Sequence, residues 1–271
     1  MLRRTLISAA GVLVIASGLW GCGKSAAPGA APPADDFPAA AAAAIAAEPK
    51  LEALAAGSGQ VGGHAPRLTD AAAGPLLEAI FNTRVIAAAA PPKFDNIDPV
   101  ENWLSASIKA GQIFILAGTG VTDPRQVADN EDLQVAVAHN MSGYAPEVGR
   151  YFDTQIGLMN LQLRSVSAEV AANPAIAQTA GGQRGLGKIR AGTLQAAGGA
   201  VTALITPGLT DEWRIARMGP LIALAPAAAK MLTPEQKAQL AAAAHEVSDN
   251  SESAELKAKL AAFAAAVNPP S

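Results

Sequence analysis

Apolar positions recur at helical spacing through most of this chain. Phe152, Ile156, Met159, Leu163, Val166 and Val170 are separated by four, three, four, three and four residues, the core-facing stripe of a helix predicted over about 146–172. Leu256, Leu260, Phe263 and Val267 repeat that spacing near the C-terminus. Helix-start signals agree. Asp98-Pro99-Val100-Glu101, Asp123-Pro124-Arg125-Gln126 and Thr233-Pro234-Glu235-Gln236 each place a capping side chain, a proline at the first helical position and Glu or Gln at the third. Asn173-Pro174 repeats the first half of the signal. Further helices are predicted near 75–90, 99–117, 125–141, 175–205, 211–231 and 234–248. Gln112 to Leu116 is the one strand-like run, and it is read as helix because it continues a pattern that includes Trp103 and Ile108. The fold class is therefore all-α, a helical bundle or irregular helical array of about seven or eight helices. The segment 175–205 holds Gly181, Gly182, Gly185, Gly187, Gly192, Gly198 and Gly199, so it is expected to be a closely packed or a broken helix.

The N-terminal pattern is of another kind. Arg3 and Arg4 precede a run from Leu6 to Trp20 that carries no charge, the order of an export signal. The run is short of the roughly 20 apolar residues that a membrane-spanning helix needs. It ends in Leu19-Trp20-Gly21-Cys22, which resembles the lipobox of bacterial lipoproteins. The resemblance covers only these first residues. It implies removal of residues 1–21 as a signal peptide, diacylglycerol on the Cys22 thiol and acylation of the new N-terminus. Gly23 rather than Asp follows the cysteine, which in that family's sorting pattern implies an outer-membrane protein facing the periplasm.

Composition sets the organisation behind Cys22. The Pro28 to Pro33 run, the Ala39 to Ala47 stretch and Gly57-Ser58-Gly59-Gln60-Val61-Gly62-Gly63 suggest a flexible lipidated tether over 22–65. Ala39 to Ala56 has high helix propensity, but Pro49 interrupts it. One helical domain is expected over 66–267. Loss of residues 1–21 removes Arg3 and Arg4 and no acid, leaving 18 basic against 23 acidic residues and a net charge of −5. Such a chain is unsuited to nucleic acid, and attachment to a membrane falls to the lipid. The single cysteine allows no internal disulfide.

Candidate chemistry is sparse. Gly182-Gln183-Arg184-Gly185-Leu186-Gly187-Lys188 fits the start of a phosphate-cradling loop, but Ile189 stands where the magnesium-binding hydroxyl belongs and no strand precedes it. Arg184, Lys188 and Arg190 remain as a candidate anion site, with a solvated helix face as the alternative. His245 and Asp249 occupy the i and i+4 positions of a zinc-protease helix with no third ligand nearby, so no metal site is expected. Gly118-Thr119-Gly120 matches half a dinucleotide loop, but Asp123 stands where its last glycine is required. Trp103, Trp213, Tyr144 and Tyr151 are either groove-lining residues or core. With no catalytic constellation and no cofactor signature, the expected role is non-enzymatic binding or scaffolding of another envelope protein, neutralisation of a toxin being one form of it. The alternatives are a small-ligand or lipid-binding helical module and a metal-dependent hydrolase built on His245.

Overall fold

The computed structural model describes residues 36–57, 65–127 and 129–269. The expected signal peptide over 1–21, Cys22 and His64 lie outside the described residues. In chain order the α-helices are α1 (Phe37–Gly57), α2 (Gly74–Ile80), α3 (Thr83–Ala88), α4 (Asp98–Ile115), α5 (Glu131–Gly143) and α6 (Ala145–Ala172). They continue with α7 (Ala180–Ala203), α8 (Asp211–Met231), α9 (Pro234–Asp249) and α10 (Ala254–Val267). Short 3-10 turns occupy Phe94–Asn96, Pro124–Val127 and Pro174–Gln178, and no strand occurs among the described residues. The fold is an all-α array.

Helix α6 is its centre. Its stripe from Phe152 to Val166 is buried, but so are Val148, Tyr151, Leu158 and Leu161, because α4 and α8 both pack along it. Glu101 of α4 meets Gln162 of α6, while Gly111 lies against Tyr151, so these two helices run antiparallel. Gly111 is required there, since a Cβ would enter the Tyr151 ring. On one flank α1 covers α4 and α2; on the other α10 covers α8, α9 packs on α10, and α7 packs on α9.

The tether assignment needs correction over 37–57. This segment is α1, and Ala40, Ala44, Ala47 and Leu51 form a buried stripe at helical spacing. Phe37 lies with its ring centroid 5.4 Å from that of Trp103, whose indole donates to the Ile80 carbonyl at 2.7 Å. Pro49 does not end the helix. It is exposed, so its ring and the Ile45 carbonyl that it leaves without a donor are on the solvent side. An interior proline costs about 3 kcal/mol. Full burial of Leu51 contributes about 1.5–3 kcal/mol, and the alanine stripe adds to it. Pro220 and Pro226 sit inside α8 in the same way, the latter exposed.

The proline signals divide by capping chemistry. Thr233 forms a complete capping box, accepting from the Gln236 N–H at 3.3 Å while Gln236 Oε1 accepts from the Thr233 N–H at 3.1 Å. At Asp98 the helix starts one residue earlier than the signal implies, so Asp98 lies in the first turn, where its charge complements the helix dipole. Asp123 instead accepts from the Arg125 N–H and pairs with the Arg125 side chain, which gives only a 3-10 turn; Asn130 then caps α5. Likewise Asn173-Pro174 opens a 3-10 turn, and Thr179 caps the glycine-rich α7, which is continuous from Ala180 to Ala203. Gln112 to Ile115 is helix, as expected. Among the described residues no helix is long and apolar enough to cross a membrane.

Candidate functional site

Helices α1 and α4 lie side by side with the same direction. Phe37 meets Trp103 near their starts and Glu48 meets Lys109 at mid-length, so both helices end at the same place. There they bound a groove of about 410 Å³ together with the loop that follows α4. Its apolar lining comes from Ala55, Ala56, Ala65, Ile113, Leu116 and Val121. Its charged lining is Glu48, Glu52 and Lys109, and Gln112 and Thr122 add neutral polar groups.

The local sequence explains this shape. Gly118 and Gly120 adopt φ of 67° and 72°, in the left-handed region, and turn the chain back after α4. Thr119 closes the turn, its hydroxyl donating to the Leu116 carbonyl at 2.7 Å. Asn140 of α5 donates to the carbonyls of Ile115 and Ala117 at 3.0 and 2.8 Å. The glycine pair that matches half a dinucleotide loop thus stands at a helix C-terminus. Phosphate is held at the opposite end of a helix, where N–H groups are free, so this loop has the wrong polarity for it.

Electrostatics in the groove favour positive charge. Glu48 is 9 % exposed, and its Oε2 lies 3.4 Å from Lys109 Nζ. Glu52 follows one turn later on the same helix and is exposed. Among the described residues the lining thus holds two carboxylates and one ammonium.

The sequence-predicted residues are placed elsewhere. Arg184 and Lys188 are exposed on α7, one turn apart, with Arg184 Nε donating to its own helix at the Ala180 carbonyl. Arg190 does not join them: its Nε donates at 2.7 Å to the Met231 carbonyl at the end of α8, neutralising that helix terminus. His245 and Asp249 are exposed on α9, and among the described residues no group of three or more His, Cys, Asp or Glu is positioned to hold a metal ion. The aromatic residues are core. Trp103 and Tyr151 are fully buried, Tyr144 accepts from the Ala65 N–H, and Trp213 donates to the Ala145 carbonyl.

Two further charged clusters pin helices together. Buried Glu147 accepts from the Leu68 N–H at 3.0 Å and lies 3.5 Å from Arg67, whose guanidinium stacks over Tyr144; these contacts tie the 65–68 segment to the start of α6. Asp153 of α6 lies 2.8 Å from Arg217 Nε of α8, an ion pair by distance although neither atom makes a directed hydrogen bond. Burial pushes the Asp153 carboxyl up to about 6, and the Arg217 charge offsets this only in part. Burial also raises Glu101, against the opposing hydrogen bond from Gln162. The Arg217 side chain lies across Gly149 and against Trp213, closing this pair off as a packed contact between helices.

Glu48, Glu52 and Lys109 were not singled out by sequence reasoning. The available signal was Glu48 and Glu52 one turn apart around the apolar Leu51. The chain matches no family model, no curated protein and no solved structure.

Proposed function

We propose that this is a lipid-anchored protein of the bacterial cell envelope whose helical domain binds or scaffolds another envelope protein. The observation that carries the reading is Cys22 at the end of a charge-free run, in Leu19-Trp20-Gly21-Cys22. Gly23 supports residence in the outer membrane, facing the periplasm. The start of α1 at Phe37 sharpens the proposal, because only the 14 residues 23–36 separate Cys22 from that helix. That length reaches at most about 50 Å when fully extended. The partner then lies close to the membrane. The role is non-enzymatic, and the net charge of −5 on the processed chain leaves anchoring to the lipid.

Membrane fractionation of wild type and Cys22→Ser tests this. Wild type is expected in the outer-membrane fraction and the variant outside it. A Cys22→Ser protein that still fractionates with the outer membrane would refute the anchor.

A second reading, a small-ligand-binding helical module, is supported by the groove between α1 and α4. Its volume of about 410 Å³ falls in the range of roughly 300–1,000 Å³ typical of small-molecule sites.

A further inference from the structure

The geometry points to a small organic cation, a primary amine on a short apolar chain, as the ligand of the α1–α4 groove; this rests on the small-ligand reading above. Two observations converge on it. Glu48 and Glu52 lie one turn apart and both line the groove, against Lys109 as the single base among the described residues. Beside these groups, Ala55, Ala56, Ile113, Leu116 and Val121 offer an apolar wall that an ammonium ion alone would leave unused.

Lys109 is the internal stand-in for that ligand. Its Nζ is 3.4 Å from Glu48 Oε2, longer than a good charge-assisted hydrogen bond, and its side chain is 60 % exposed. An entering ammonium replaces it at Glu48 while Lys109 swings into water on its own flexible stem. The buried carboxylate keeps a counter-ion throughout, so the exchange leaves no unpaired buried charge. Glu52, which has no ion pair among the described residues, gains one.

An anionic ligand fits none of this. It would meet two carboxylates with, among the described residues, only Lys109 in its favour. The polarity of the groove is thus opposite to that of the arginine and lysine cluster on α7.

Titration of the processed chain with hexylamine, hexanol and hexanoate, followed by backbone amide shifts in NMR, tests the assignment. Hexylamine is expected to shift amides of residues 109–122, with hexanol and hexanoate weaker. Glu52→Gln should weaken hexylamine binding about two- to fivefold, the effect of one partly screened charge pair. Lys109→Gln should tighten it by a similar factor, because it removes the competitor. Glu52 is exposed and unpaired among the described residues, so Glu52→Gln keeps the fold, whereas Lys109→Gln leaves buried Glu48 without its ion-pair partner and its unfolding transition is recorded beside the titration. Hexanol binding as tightly as hexylamine, or a Glu52→Gln affinity equal to wild type, overturns the amine assignment and leaves a neutral-ligand groove. Absence of shifts with all three probes overturns both the assignment and the small-ligand reading.

Discussion

Replacing Gly185, Gly187 and Gly192 by alanine should make the protein more stable. All three lie inside α7 with helical backbone, and a Cβ built at any of them meets no atom within 4 Å. Alanine therefore adds no clash, restricts the unfolded chain and removes the helix penalty of glycine, about 0.5–1 kcal/mol per site. The sites are independent enough for their effects to add, so the triple variant should gain about 1.5–3 kcal/mol. For a domain of this size that raises Tm by between about 3 and 12 °C. Gly182 is the internal control. It lies in the first turn of the same helix, but a Cβ there would collide with the Ile176 carbonyl oxygen of the preceding 3-10 turn. Gly182→Ala should lower stability. Urea unfolding followed by circular dichroism gives both signs in one experiment, with an unchanged m-value showing that the unfolded state is comparable. A triple variant no more stable than wild type would refute a continuous, exposed α7, and a neutral Gly182→Ala would refute the turn that precedes it.

Leu51→Ala should cost about 2–4 kcal/mol, since Leu51 is fully buried under α1, and thermal unfolding would show it; a neutral result would return 37–57 to the tether. Stability should fall as pH rises from about 4 to 6. The folded Asp153 carboxyl titrates near 6 against an ordinary 3.8, so over that window the folded state holds the extra proton. The raised Glu101 acts in the same direction. The full Asp153 effect approaches about 3 kcal/mol, and Asp153→Asn should flatten the slope of denaturant-derived stability against pH; an equal slope in that variant would contradict the assignment.

What was legible in the sequence follows from how local each signal is. Helix α8 ends where the apolar pattern ends, and Thr210 and Thr233 cap α8 and α9 with their own side chains, so those boundaries depend on a few adjacent residues. Helix α6 shows because Phe152 to Val166 contrasts with the polar residues between them. Helix α1 shows only as helix propensity over Ala39 to Ala56 and its core face does not show, because that face is mainly alanine and its exposed face is mostly alanine and other apolar residues, which leaves the stripe without contrast. Asp123-Pro124 and Asn173-Pro174 place the helix starts six and five residues too early: proline suits the first turn of either helix type, and the cap that decides between them comes later, at Asn130 and Thr179. The groove was out of reach for a further reason. Its residues come from 48–56, from Ala65, from 109–117 and from 118–122, and they are brought together by α1 packing in the same direction as α4. Nothing in the spacing of Arg184, Lys188 and Arg190 reveals that the last of them serves the end of α8.

The central claim is the lipid on Cys22, and metabolic labelling with a clickable fatty acid, combined with intact mass of the processed protein, tests it most directly. The account predicts a labelled wild type that begins at residue 22 and carries acyl mass, and an unlabelled Cys22→Ser. Label retained in Cys22→Ser, or a wild type that carries none, would contradict it.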